Sequence, residues 1–307
     1  MSDLAWSGVI EDHENLHVGK PRDGGVTMVI DTGLGVAGTA DVVEISGQYI
    51  DQWKCSFGTS TFVRTDVLRR KLGLLAASDI VTYPGGTLLE AAIVNQHSRV
   101  YMSRAKQLGF SAVEISDGTI AMTRRRRKKI IQCAIENDLI AITEVGKKDP
   151  LDQPSTKEIA DQALWDLDNG ATWVVIEGRE SGISVGIYDE NGSVRENALA
   201  EIVDHMDDQV DRLIWESPKK EQQAVLVHRL GPNVNLGNIS PHDMLSLESL
   251  RAGLRFETLK PIADEWEQTG RWNPDQVEQA VNNKEFSLNE RAKSLARENR
   301  SRTGTRG

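Results

Sequence analysis

The sequence has no apolar run approaching the roughly 20 residues that span a bilayer, which excludes a membrane-crossing helix. It has only two cysteines, Cys55 and Cys133, in 307 residues; neither sits in a metal-binding spacing, and reduced thiols are expected. Of the six histidines, His13, His17, His97, His205, His228 and His242, only His13 and His17 stand four residues apart, and no histidine metal centre is read. A surplus of positive charge is also missing. With 36 Lys and Arg against 46 Asp and Glu the formal charge is −10, which argues against nucleic-acid and anionic-membrane partners. The start, "MSDLAWSGVIEDHENLH", lacks a secretory signal's basic end and apolar centre, so a cytoplasmic location is expected. An anionic substrate would have to meet positive charge gathered locally.

What is present is one alternation, repeated. Apolar, β-branched segments recur at "VTMVID" (26–31), "YIDQWKCSF" (49–57), "SDIVTYPGG" (78–86), "SAVEISDG" (111–118), "LIAITEVG" (139–146), "ATWVVIEG" (171–178), "RLIWES" (212–217) and "AVLVHRLG" (224–231). Segments of helical period lie between them, such as "TDVLRRKLGLLAA" (65–77), "TRRRRKKIIQCAIEN" (123–137) and "STKEIADQALWDLDNG" (155–170). The last opens on the capping pattern Ser155-x-x-Glu158 and stops at Gly170. Eight strands alternating with helices, closed by "PHDMLSLESLRAGLR" (241–255), predict an α/β fold of the (β/α)8 TIM-barrel type over residues 20–259. A doubly wound open sheet is the alternative, weakened by the lack of G-x-G-x-x-G after the first strand. Residues 1–19 read as a leader, and 260–307 as a C-terminal helical extension ending in a disordered Arg/Gly/Ser tail.

Barrel enzymes carry their chemistry at the C-terminal ends of the strands. Here those ends collect charge: Lys54, Glu114, then Glu144 with Lys147 and Lys148, Glu177 with Arg179, and Glu216 with Ser217, Lys219 and Lys220. Part of this is expected simply because loops are wet. The mixture is more informative: carboxylates suit a hard divalent cation, and lysines and arginines suit an anionic substrate. Barrels commonly bind phosphate on the loops after strands seven and eight, so Ser217, Lys219 and Lys220, with Asn233, Asn235, Gly237 and Asn238 of "GPNVNLGN", are candidate substrate contacts. The run "RRRRKK" (124–129) reads as a solvated helix face rather than a nucleic-acid patch.

The segments "KPRDGGVTMVIDTGLG" (20–35), "YIDQWKCSFGTS" (49–60), "YPGGTLLEAA" (83–92), "VEISDGTI" (113–120), "TEVGKK" (143–148), "VVIEGRESG" (174–182), "GIYDENGSVR" (186–195) and "GPNVNLGNI" (231–239) together resemble the phosphosulfolactate synthase family. The match is collinear from about residue 20 to residue 259, while "RFETL" (255–259) stands where the family is expected to read closer to "RGDTL". The resemblance implies a Mg2+-dependent (β/α)8 lyase that adds sulfite to phosphoenolpyruvate, giving (2R)-2-O-phospho-3-sulfolactate, an early intermediate of coenzyme M synthesis. Such a reaction builds negative charge on the substrate carboxylate and then protonates the adjacent carbon. On this reading Glu114, Glu144 and Glu177 hold Mg2+, Lys147 donates the proton with Lys148 as alternative, and Lys20, Arg22, Lys54 and Arg179 bind sulfite or the substrate carboxylate. A homo-oligomer is expected. A relative adding a different nucleophile to phosphoenolpyruvate, and a non-catalytic stress-associated interaction protein, are the competing functions.

Overall fold

The structure, a computed structural model, describes residues 5, 6, 9 and 17–275. The chain divides into two units, Met1–Lys260 and Pro261–Gly307. In the first, strands and helices alternate: β1 (Thr27–Asp31), α1 (Val36–Ser46), β2 (Gln52–Cys55), α2 (Thr65–Ala76), β3 (Val81–Pro84), α3 (Gly86–Val94), α4 (Ser98–Leu108) and β4 (Ala112–Ile115). They continue through α5 (Arg124–Glu136), β5 (Ile140–Val145), α6 (Thr156–Asp168), β6 (Trp173–Ile176), α7 (Glu196–Met206), β7 (Leu213–Glu216), α8 (Lys220–Leu230), β8 (Leu236–Ile239) and α9 (Met244–Arg251). A further helix, α10, covers Phe256–Gln268; the predicted Arg/Gly/Ser tail and most of the leader lie outside the described residues.

All strand pairs are parallel, in the order β3-β2-β1-β8-β7-β6-β5-β4. At the β3–β4 seam Ser111 stands in for a ladder: its N–H donates to the Thr82 carbonyl at 3.1 Å and its hydroxyl accepts from the Thr82 N–H at 2.9 Å. The result is a nearly closed (β/α)8 barrel.

Period-two alternation decides what fills it. Inside lie Val26, Met28, Tyr83, Ala112, Ile142, Val175 and Ile214, while the opposite strand faces pack Val29, Trp53, Val113, Val174 and Trp215 against the helices. Residues i and i+2 of a strand share a face. Ala112, Ile142, Val175 and Ile214 therefore commit Glu114, Glu144, Glu177 and Glu216 to the barrel interior, one layer nearer the C-terminal mouth, and Gln52 does the same for Lys54. Local signals act as read on α6, where Ser155 and Glu158 exchange hydrogen bonds in a capping box and the chain turns away at Gly170 (φ 104°).

One predicted strand is a helix. "AVLVHRLG" falls within α8, whose buried Gln222, Gln223, Leu226 and Val227 recur at helical spacing. A short β-branched run fits either period, and here the helix wins because Leu226 and Val227 face the barrel wall. The eighth strand is instead Leu236–Ile239, so "GPNVNLGN" leads into β8 rather than following it.

Candidate active site

At the mouth Lys54, 5% exposed, is the hub of the charged layer. Its Nζ lies 2.7 Å from Glu216 Oε1, 3.0 Å from Glu114 Oε1 and 3.6 Å from Glu144 Oε2. A second ammonium closes the other side: Lys148 Nζ lies 2.9 Å from Glu144 Oε1 and 3.0 Å from Glu177 Oε2. The four carboxylates are each at most 3% exposed. They surround a cavity of about 50 Å³ that Arg179 and Asn238 also line.

Backbone geometry sets these positions. The Gly86 N–H, at the start of α3, donates to Glu114 Oε2 at 2.6 Å, and a Cβ on Gly86 would stand 2.5 Å from Ser116 Cβ. The Gly178 N–H donates to Glu216 Oε2 at 2.9 Å, and the Arg179 N–H to Glu177 Oε1 at 2.7 Å. Gly146 turns the chain at φ 128°, where a Cβ would stand 2.6 Å from Glu177 Cβ. That turn lets Lys148 fold back onto Glu144.

Charge sets the protonation pattern. Burial by itself would lower Lys54, but Glu114, Glu216 and Glu144 outweigh it and hold the ammonium well above its usual range. Lys148 is raised in the same way, its burial outweighed by Glu144 and Glu177. Burial pushes Glu114 up to about 7, with Glu144 and Glu216 adding repulsion that Lys54 offsets in part. Burial and the neighbouring Glu144 and Glu216 raise Glu177 too, whereas Lys148 and Lys54 overcome burial at Glu144 and hold it low.

Four buried carboxylates against two ammonium groups would, if all were ionised, leave an excess of two negative charges at the barrel mouth. Such an excess is costly unless protons or a cation neutralise it. Glu144, Glu177 and Glu216 each present an oxygen within 4.8 Å of the others, and this set could hold a metal ion. The donors are all hard oxygens, as a cation of the Mg2+ or Ca2+ kind requires.

Several expected residues stand elsewhere. Glu114, expected as a metal ligand, pairs with Lys54 and the Gly86 N–H, while the three carboxylates whose oxygens lie mutually close are Glu144, Glu177 and Glu216. Lys147, the first expectation for the proton donor, points out of the carboxylate layer, its Nζ 2.6 Å from the Asp117 carbonyl and 3.1 Å from Asp117 Oδ2. Lys20 and Arg22 precede β1 and lie at the opposite end of the barrel, on Gly47 O and on Asp51 with Gln48 O respectively. Asn233 and Asn235 are at that end too, because β8 begins after them: Asn233 accepts from the Val18 N–H, and Asn235 ties the Val26 N–H to the Leu213 carbonyl. Gly237 lies in β8, where a Cβ would come within 2.6 Å of Met28 Cε, so its smallness serves packing.

At the mouth itself, Asn238 (φ 56°) donates to the Arg179 carbonyl while its Oδ1 is buried without a protein partner. The buried Ser217 hydroxyl is unpartnered as well. Lys219 caps α8 with its side chain toward Gly192, and Lys220 pairs with Asp243 at 3.3 Å; neither lines the cavity. Glu216 is among the strand-end charges read from the sequence, and only its place beside Glu144 and Glu177 came from the structure. The Gly86 N–H carried no comparable signal.

Comparison with known proteins finds relatives over most of the chain. Residues 16–257 match the family model for (2R)-phospho-3-sulfolactate synthase. The chain is 41% identical over 248 residues to the phosphosulfolactate synthase of Methanothermobacter thermautotrophicus, covering 80% of this chain and 95% of that one. It is 34% identical over 241 residues to the enzyme of that name from Bacillus subtilis, covering 78% and 94%. Among solved structures, the YdjI aldolase of Escherichia coli K12 superposes with a TM-score of 0.50 at 12% identity, covering 84% of this chain and 93% of that chain, a likeness of fold alone.

Proposed function

The chain belongs to the phosphosulfolactate synthase family, and from that premise we propose that its barrel mouth adds sulfite to phosphoenolpyruvate beside a Mg2+ ion held by Glu144, Glu177 and Glu216. The observation that carries the reading is the unbalanced layer of four buried glutamates and two lysines. The sulfur lone pair of sulfite attacks the methylene carbon of phosphoenolpyruvate, forming the C–S bond. The electrons of the carbon–carbon double bond move onto the second carbon and into the carboxylate, and a proton added to that carbon gives (2R)-2-O-phospho-3-sulfolactate. No phosphate leaves and no redox partner is needed. When bound, Mg2+ would supply Lewis-acid charge to stabilise the substrate carboxylate.

The chain's own groups do the remainder. Lys148, charged and 30% exposed at its side chain, holds the proton that goes to the second carbon and can regain one from solvent. Transfer from an ammonium to so basic a carbon is downhill. Lys54 keeps Glu114, Glu144 and Glu216 from repelling one another apart, which preorganises the site before substrate enters. Arg179 offers its guanidinium to the anionic groups of the substrates, while the free acceptor of Asn238 suits a hydrogen-bond donor or a cation. No helix among the described residues is long and apolar enough to cross a membrane.

Phosphorus NMR of the protein with phosphoenolpyruvate and Mg2+, with and without sulfite, tests the reading. A new phosphate ester that requires sulfite and disappears with excess chelator is expected. Consumption of phosphoenolpyruvate without sulfite would point to a different nucleophile, and an unchanged spectrum in every sample would refute the assignment.

A further inference from the structure

Five members of the basic run on α5, Arg124, Arg125, Arg126, Lys128 and Lys129, are exposed, as a solvated face requires. The sixth is not: Arg127 is 2% exposed and lies beneath the charged layer. Its Nε donates to both oxygens of Asp166, at 2.8 and 3.0 Å, and its Nη2 to Asp166 Oδ2 at 2.6 Å. The same Nη2 reaches the main-chain carbonyl of Glu144 at 2.9 Å, and Nη1 reaches Asp117 Oδ1 at 3.0 Å. The other Asp117 oxygen and its carbonyl take Lys147, and the Gly118 carbonyl takes the Lys148 N–H at 3.1 Å.

One guanidinium thus joins the end of β5, the loop after β4 and helix α6. The fork of an arginine can serve three partners at fixed angles, which a lysine cannot. Buried charge pairs are poor stabilisers after desolvation, and fixed geometry is what they can give instead. The two segments fastened here flank Lys148 on both sides, Glu144 four residues before it and Gly118 across from it. Gly118 is so close that a Cβ there would lie 3.0 Å from Lys148 Nζ.

We propose that Arg127 is a positioning residue for the reaction: through Asp117 and the Glu144 carbonyl it fixes the loop after β4 against the end of β5, and so places the Lys148 ammonium. This rests on the reading that Lys148 supplies the proton. Displacements of about 1 Å at a reacting group can cost on the order of 100-fold in rate.

The test uses Asp117→Asn, which weakens the loop tie at a half-buried site and leaves the Arg127–Asp166 pair intact, beside Arg127→Lys. Expected are kcat losses of about 10- to 100-fold in both, KM for phosphoenolpyruvate within about threefold of wild type, and a double variant no slower than Arg127→Lys alone. Asp117→Asn should melt close to wild type, which separates misplacement from unfolding. Full kcat per folded molecule in Asp117→Asn, or a loss confined to KM, overturns the proposal. Lys148→Ala, run alongside, keeps the two readings apart: if it turns over normally the proton-donor assignment fails, whereas an inactive Lys148→Ala with a fully active Asp117→Asn defeats only the role given to Arg127.

Discussion

Replacing Lys54 with methionine should unfold the barrel more easily, and by an amount that depends on pH. The substitution keeps most of the buried volume but removes the counter-charge of Glu114, Glu216 and Glu144, which lie 3.0, 2.7 and 3.6 Å from its Nζ. Breaking a buried ion pair by deleting one partner costs about 3–5 kcal/mol. At roughly 2–4 °C per kcal/mol for a domain near this size, about 4 kcal/mol lowers the melting temperature by roughly 8–16 °C. Glu114 sets the pH dependence. Its pKa in the folded protein, about 7, lies above the ordinary 4.5, so between those values the native state binds more protons than the unfolded chain, and stability falls as pH rises through the window. Without Lys54, burial and the Glu144 and Glu216 charges act on Glu114 unopposed, and the penalty above neutrality grows. The gap between wild type and Lys54→Met should therefore be widest near about pH 8 and shrink near about pH 5.5, where Glu114 is protonated. Calorimetry of both proteins in chelator, with the scan rate held constant, measures it. An equal gap at the two pH values, or none, would refute the account of Lys54 as the counter-charge shared by Glu114, Glu144 and Glu216.

Lys148→Ala should lower kcat by about 100- to 10,000-fold with the fold intact, while Lys147→Ala, whose side chain turns to Asp117, should stay within about tenfold; steady-state rates decide between the neighbours. Adding Mg2+ at about 100 times its dissociation constant should stabilise the protein by about 2.7 kcal/mol, a rise of roughly 5–11 °C, and Glu216→Gln should remove most of it; equal rises in both proteins would argue against Glu216 as a ligand. Gly86→Ala should cost about 1–3 kcal/mol, because its Cβ would stand 2.5 Å from Ser116 Cβ, and should lower activity by displacing Glu114; a neutral effect on both would contradict the close approach seen here.

The barrel and the layer of glutamates were legible in the sequence because both follow from local periodicity. Alternation along β4, β5, β6 and β7 requires that a carboxylate two residues beyond a buried Ala112, Ile142, Val175 or Ile214 point to the same interior. No such rule distinguishes Lys147 from Lys148, which sit on a loop just past the φ 128° turn at Gly146, where strand alternation has ended. Asp117, brought in by the β4 loop and held by Arg127, captures Lys147 and leaves Lys148 to the glutamates. The same limit hid the two ends of the barrel near β8. "AVLVHRL" satisfies strand and helix patterns alike, and only packing against the barrel wall made it α8, which sent Asn233 and Asn235 to the far end from Glu216. The sequence by itself determined which residues face inward, since that depends on spacing along one strand. The tertiary structure decided which charges meet, since Glu114 and Glu216 are each brought within 3.0 Å of Lys54 only by strands distant in the chain.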